Sequence, residues 1–243
     1  MSRLENKVAV VLGGAKGIGL AISQRFASEG ATTWFTSRRE EELATASRKI
    51  SGIAKPLRAD VSQNEELAGI MDTIKSTSGH LDVLVINAGM SEYARLDEIS
   101  ESHYEQIFGL NVRSPLFALQ AALPLLKPGA SVVLIGSIAD VIGTEGYGVY
   151  SASKAALRSF ARTWTRELAA RGIRVNVVAP GPVDTEMMAA ASEQVRNGLT
   201  SAIPLGRMAK PEEVANAALF LASDESSYIA GAGICVDDRL KQV

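Results

Sequence analysis

The strongest constraint on this chain is a repeated switch in its hydrophobic period. Seven short apolar runs occur at Val8–Leu12, Thr32–Thr36, Ala54–Leu57, Leu81–Ile86, Ser131–Ile135, Val175–Val178 and Ile234–Val236. Most are continuous and rich in Val and Ile, as strands covered on both faces are. Between them lie stretches with helical spacing: Ile18–Glu29, Glu40–Ile50, Glu65–Thr77, Tyr104–Leu126, Ser151–Arg171 and Glu212–Ala222. Ser62 with Glu65 and Ser102 with Glu105 have the spacing of capping boxes and support two of the starts. The alternation predicts an α/β fold, a doubly wound seven-stranded parallel sheet with helices on both faces. No low-complexity linker divides the chain, so residues 1–243 read as one domain. From Pro180 to Gly206 the rhythm breaks, with Pro-Gly-Pro, two Met and an Ala run. That segment is either a substrate lid, around 184–206, or an ordinary surface excursion.

Bulk properties narrow the partners. A net charge of −2 leaves no basic surplus for a nucleic-acid backbone. The one cysteine, Cys235, lies in an apolar run, reads as a core thiol and fits a reducing compartment. A polar Met1–Lys7 followed directly by a strand is not a signal peptide, and no apolar stretch is long enough to span a bilayer. A cytoplasmic protein is expected, without a membrane or nucleic-acid partner.

Directly after the first strand comes Gly13-Gly14-Ala15-Lys16-Gly17-Ile18-Gly19, opening the first helix. Glycines let backbone approach a pyrophosphate, and a helix N-terminus offers it unpaired N–H groups. The spacing is Gly-x-x-x-Gly-x-Gly, and its place between strand and helix favours dinucleotide binding over a structural tight turn. The second strand ends Thr36-Ser37-Arg38-Arg39, with no acid until Glu40. A carboxylate there would hold a ribose 2′-hydroxyl, whereas a guanidinium pairs with a 2′-phosphate. Ser37 and Arg38, with Lys16 as a second cation, therefore favour NADP(H) over NAD(H); the bland alternative is that the arginines are solvated.

Tyr150 and Lys154 are four apart on a predicted helix and share a face. Ser137 follows the strand Ser131–Ile135, at the carboxyl end where ligands collect in open α/β sheets. With these residues in place the whole chain resembles the short-chain dehydrogenase/reductase family, in its single-domain branch and similar to 3-oxoacyl reductases. The motifs run in order: Gly13-x-x-x-Gly17-Ile18-Gly19, Asp60-Val61, Asn87-Ala88-Gly89, Asn111-Val112, Gly136-Ser137, Tyr150-Ser-Ala-Ser-Lys154 and Pro180-Gly181. Pro211-Glu-Glu-Val-Ala215 and Ser226-Ser-Tyr-Ile-Ala-Gly231 close the series.

The resemblance implies a Rossmann-type fold, a homo-oligomer (tetramer or dimer) and a catalytic tetrad of Asn111, Ser137, Tyr150 and Lys154. It also implies that Lys154 binds the nicotinamide ribose and Asn111 holds a proton-relaying water. Asp60 would meet the adenine, Asn87-Ala88-Gly89 the ribose, and Val183 and Thr185 the carboxamide and phosphate, with Val61, Pro180 and Gly181 also at the cofactor. Alternatives remain at single positions: Ser137 and Asp60 as turn residues, Asn111 as a helix cap or kink. Reducing a carbonyl takes a hydride on carbon and a proton on oxygen. A phenol with a pKa of about 10 is a poor acid–base catalyst at neutrality, and a nearby Lys154 ammonium would lower it. Ser137, Ile138, Tyr147, Tyr150 and Met187 are expected at the substrate, with Ser91, Ile142 and Glu145 close by. His80 and His103 have no partnering acid or cysteine pattern and read as surface residues; no metal site is expected.

Three departures from the family pattern stand out. Leu12 replaces a Thr that normally ties adjacent turns, Ile86 replaces an Asn, and Asp237-Asp238-Arg239 replaces a glycine-bearing end. The first two are what favour the alternative to an enzyme, a non-catalytic NADP(H)-binding sensor or scaffold of the same fold. The third removes glycines able to adopt positive φ and predicts a differently routed tail.

Overall fold

A computed structural model describes residues 2–189, 192–238 and 240. Its seven strands are β1 (Val8–Leu12), β2 (Thr32–Ser37), β3 (Ala54–Arg58), β4 (Leu81–Ile86), β5 (Leu126–Ile135), β6 (Arg174–Pro180) and β7 (Gly233–Val236). They form one sheet in the order β3-β2-β1-β4-β5-β6-β7, with every neighbouring pair parallel. Rossmann-type topology of this kind reverses its strand order between β1 and β4. A crevice opens there, beyond the carboxyl ends of the strands.

Each face of the sheet is covered by helices. On one side, α1 (Gly17–Ser28), α2 (Glu40–Lys49) and a late helix, Pro211–Ala222, bury Ile22, Phe26, Leu43 and Leu219 against Ala9, Val11, Val83 and Val133. On the other, α3 (Asn64–Ser78), a helix at Ser114–Ala122 and a long one at Gly148–Leu168 set Ile70, Ile74, Leu119, Leu157 and Trp164 against Val10, Leu84, Val132 and Val177. Alternate strand residues thus feed opposite cores, which is why the central runs carry no polar period. β3 is the exception. As an edge strand it keeps Lys55 and Arg58 accessible and tolerates Pro56.

Several local expectations are corrected. The helix expected over Tyr104–Leu126 begins earlier and is interrupted. It comprises α4 (Glu101–Phe108), a π-helical turn at Gly109–Arg113 and α5 (Ser114–Ala122), and stops just before Pro124. Its cap is Ser100, whose hydroxyl accepts from the His103 N–H, rather than Ser102. Ser62 is likewise no cap, because its hydroxyl donates to Asp60 Oδ1. The long helix, α6, reaches back to Gly148 and so includes Tyr150. In the segment read as a lid or excursion, α7 (Glu186–Ala189) and α8 (Glu193–Ala202) form before α9 (Pro211–Ala222). Cys235 is half-buried on β7. No helix among the described residues is long and apolar enough to cross a membrane.

The tail finds its turn without glycine. Asp238 itself adopts a positive φ of 48°, and its carboxylate accepts from the Leu205 N–H; Arg239 lies outside the described residues. The two histidines do meet acids. His80 Nε2 is 3.2 Å from Asp82 and His103 Nδ1 3.7 Å from Glu92, with only a tenth of the His103 side chain exposed.

Arg171 and Arg174 tie distant segments together. Arg171 donates to the carbonyls of Leu123 and Leu126 at 2.8 and 2.6 Å. Arg174, 8% exposed, donates to Leu221 O, Ser223 O and Ser226 Oγ, binding the start of β6 to the end of α9. Arg174→Met removes these bonds from a charged donor, but Leu221 O still accepts from Ser131 Oγ and Ser223 O from Ser226 Oγ, so the net loss is about 2–3 kcal/mol. The melting temperature of that variant should fall by about 5–10 °C, given about 2–4 °C per kcal/mol in a chain of this size. A loss under about 2 °C in differential scanning calorimetry would show that water replaces the guanidinium without penalty.

Candidate active site

The turn after β1 is shaped by what surrounds it. Gly13 has a φ of 75°, and a Cβ there would lie 2.9 Å from Ala88 Cα. At Gly19 a Cβ would come within 2.0 Å of the Gly13 carbonyl oxygen and 2.5 Å of Asn87 Nδ2. Gly19 therefore packs helix onto turn and does not line the crevice. Gly17, also at positive φ, is open apart from Thr185 at 3.3 Å.

Hydrogen bonds lock the turn in place. Gly13 N–H donates to Thr36 Oγ1 (3.0 Å), Gly14 N–H to Thr36 O (3.0 Å), and Asn87 Nδ2 to Gly13 O (2.7 Å). Ser23 Oγ lies within hydrogen-bond distance of both Gly14 O and Gly19 O. These bonds answer the departure at Leu12. Leu12 and Ile86 are buried core residues, while Thr36, Asn87 and Ser23 tie the turn instead. Thr36 went unnoticed in the sequence because its β2 position marked only a strand.

Between the turns lies a crevice of about 550 Å³. At one end it is lined by Lys16, Ser37 and Arg38, in the middle by Gly13, Gly17, Ile18, Asn87, Ala88 and Gly89, and at the far end by Gly136, Tyr150 and Lys154. Asp60, Val61, Ser91 and Thr185 also line it, as do Met90, Leu110 and Glu186, which no sequence motif singled out. Pro180, Gly181 and Val183 are not among its walls. Val183 is buried, and bridges to Ala209. Asp60 combines both readings of the sequence, since it faces the crevice and its Oδ1 also accepts from Ser62 N–H and Ser62 Oγ.

The four residues of the suspected tetrad arrive on different elements. Asn111 sits in the π turn, 1% exposed. Its Oδ1 accepts from Met90 N–H (2.9 Å) while its Nδ2 donates to Met90 O (2.8 Å) and Ser153 Oγ (3.0 Å). The asparagine thus clips the loop after β4 to α6. A Cβ on Gly89 would lie 3.2 Å from Asn111 Oδ1 and 3.3 Å from Lys154 Nζ, so both polar groups reach one backbone position. Lys154 is 5% exposed and donates to Ile135 O at 2.9 Å. Ser137 follows β5, accepts from Ala139 N–H and shares a hydrogen bond with Tyr150.

Electrostatics at this end run against the simplest expectation. Burial raises the Tyr150 pKa, the Ser137 hydrogen bond offsets part of that, and Asp140 adds to the rise. Lys154 does not lower it here. Its ammonium is directed at Ile135 O, 5.7 Å from the Tyr150 ring centroid, and burial pulls its own pKa down to about 8.

The residues expected around a substrate divide. Ile138 is 4% exposed, part of the interior. Tyr147 is half-buried and packs edge-to-face on Tyr93, with ring centroids 5.7 Å apart, and Ile142 is half-buried. Glu145 pairs with Arg95 at 3.0 Å on the exposed rim. The Met187 side chain lies outside the described part of the structure. Among the described residues no cluster of His, Cys, Asp or Glu is arranged to hold a metal ion.

Comparison with known proteins agrees with this architecture. A family model described as Enoyl-(Acyl carrier protein) reductase matches residues 13–238. The chain is 37% identical to "Oxidoreductase asL5" of Sarocladium schorii over all of its own length and 99% of that protein. It is also 37% identical to the 3-oxoacyl-[acyl-carrier-protein] reductase FabG of Thermotoga maritima, covering 98% and 99% of the two chains. A solved short-chain dehydrogenase/reductase from Serratia marcescens superposes with a TM-score of 0.93 at 34% identity, over 98% of this chain and 99% of that one. The crevice, the sheet order and these likenesses together establish that the chain belongs to the short-chain dehydrogenase/reductase family and is similar to its 3-oxoacyl reductases.

Proposed function

We propose that the protein is an NADP(H)-dependent reductase that interconverts a ketone and a secondary alcohol. One observation carries the reading: a single crevice joins Lys16, Ser37 and Arg38 at one end to Tyr150 and Lys154 at the other. The glycine turn suits a dinucleotide. Gly17 presents bare backbone at the start of α1, where unpaired N–H groups favour an anion. Lys16, Ser37 and Arg38 hold the adenosine ribose and its 2′-phosphate, Asp60 and Val61 flank the adenine, and Asn87 to Gly89 and Thr185 border the remaining path. The bound nicotinamide supplies or accepts the hydride.

The chain's own residues handle the proton. Ser137 hydrogen-bonds the substrate oxygen and fixes it beside the Tyr150 hydroxyl. With its pKa above the ordinary value, Tyr150 is a full phenol at neutral pH, the form that donates a proton to the nascent alkoxide. Lys154 is mostly protonated at pH 7 and turns from Ile135 O toward the nicotinamide ribose. Asn111, clamped on three sides, carries the water through which Lys154 regains a proton. Orientation of these groups about one carbonyl supplies much of the rate. A homo-oligomer of cytoplasmic location is part of the same reading.

Binding and turnover are tested first by fluorescence titration with NADPH and NADH, then by following cofactor absorbance with a panel of ketones and 3-oxoacyl thioesters. Tighter NADPH binding with consumption on at least one ketone is the expected result. No turnover on any panel member would return the sensor or scaffold reading to the front.

Tyr150→Phe removes the transferred proton and leaves the crevice intact. Its kcat should drop by at least about 10²–10⁴-fold, the usual worth of general acid catalysis, with NADPH affinity within about threefold of the parent. Undiminished turnover in that variant would end the mechanism. The pH profile is a separate check. Lys154, depressed to about 8, is charged below that value and neutral above it. Ketone reduction should therefore decline as pH rises through about 8, while alcohol oxidation, which needs the phenolate, should increase. A reduction rate flat from pH 7 to 9.5 would contradict the role given to Lys154.

A further inference from the structure

The basic end of the crevice already holds an anion of its own. Glu42 is the third residue of α2, and its side chain turns back toward the end of β2. Ser37 Oγ donates to Glu42 Oε2 at 2.5 Å. Lys16 Nζ lies 3.2 Å and Arg39 Nη1 3.3 Å from Glu42 Oε1. The Glu42 side chain is only 18% exposed, against 50% for Lys16 and 71% for Arg39. Burial pushes its carboxyl upward, but the bonds from Ser37 and Lys16 and the nearby cations outweigh that and hold it below the usual range. The group is ionised at neutral pH.

A hydroxyl, an ammonium and a guanidinium converging on one oxygen pair are also the donors a phosphate monoester takes. Two of them, Ser37 and Lys16, line the crevice. Lys16 is held from its other side by Glu186, at 3.3 Å. Arg38, exposed on the same wall, has no hydrogen-bond or ion-pair partner among the described residues. A dianionic phosphate cannot share Ser37 and Lys16 with a carboxylate without like charges a few ångströms apart.

We propose that Glu42 is the specificity-determining residue of this end of the crevice, a built-in carboxylate that competes with the cofactor's 2′-phosphate for Ser37 and Lys16. The inference rests on the NADP(H) reading above. Arg38 meets the arriving phosphate first, and Glu42 then swings outward from the first turn of α2, leaving Lys16 and Ser37 to the phosphate. NADH lacks the 2′-phosphate and does not require that displacement. Glu42 thus lowers NADPH affinity selectively and narrows the gap between the two cofactors.

The test is a fluorescence titration of NADPH and NADH on the intact protein, comparing wild type with Glu42→Gln, Glu42→Ala and Arg38→Leu. Glu42→Gln keeps the size and an acceptor for Ser37 while removing the charge. Its NADPH Kd should fall about fivefold, the scale of one unit-charge pair about 4 Å apart in water, with the NADH Kd within about twofold. Glu42→Ala should move in the same direction, and Arg38→Leu should weaken NADPH alone. If both Glu42 variants leave NADPH unchanged or weaker while wild type prefers NADPH and Arg38→Leu loses it, the competitor role is overturned and the NADP(H) reading stands. If wild type prefers NADH and Glu42→Gln weakens NADH, both fall, and Glu42 is an acceptor for the ribose 2′-hydroxyl.

Discussion

The site depends on how closely two loops approach one another where the sheet changes direction. The turn after β1 and the loop after β4 touch through Gly13 and Ala88, with no space for a side chain on Gly13. Asn87 reaches across to the Gly13 carbonyl, and the Asn87 and Ala88 N–H groups both donate to Leu12 O. That contact fixes the distance between the start of α1 and the loop leading to Met90. Through Met90 it fixes Asn111, and through Asn111 it reaches Ser153 on the helix that carries Tyr150 and Lys154. The phosphate-suited and proton-suited ends of the crevice are therefore set by one chain of short contacts.

Much of this was legible in the sequence because the sheet is parallel and doubly covered. Continuous Val/Ile-rich runs located β1 and β4 to the residue, while the mixed Ala54–Leu57 run located the edge strand β3 to within one. The glycine turn, Ser137, Tyr150 and Lys154 fell at strand and helix ends where an open sheet gathers ligands. What the sequence concealed are pairings between distant segments. Nothing in the local pattern at Thr36 says that its hydroxyl takes the bond left open by Leu12. Nothing in the Glu40–Glu42 run says that Glu42 folds back onto Ser37. Ser100 wins the cap from Ser102 because α4 begins earlier than its apolar spacing implies.

Electrostatics departed furthest from expectation. A lysine four residues from a tyrosine on one helix face suggests a depressed phenol. Both side chains are instead dominated by burial, and Lys154 spends its hydrogen bond on the end of β5. Spacing along a helix gives proximity, whereas the sign of a pKa shift depends on desolvation and on where the ammonium points. With its pKa raised, the Tyr150 hydroxyl stays protonated at neutral pH.

The π turn at Gly109–Arg113 has a consequence for how this protein can change over evolutionary time. Each helical residue advances the face by about 100°, so a π turn is in effect one inserted residue in an otherwise regular helix. Deleting one residue of the turn would restore regular winding and leave α5 in phase, with Ala118, Leu119 and Ala122 still on the sheet. What it would remove is the wide turn from which Asn111 reaches Met90 and Ser153. A deletion there leaves the core nearly untouched and is penalised at the crevice, so the irregularity belongs to the site rather than to the packing.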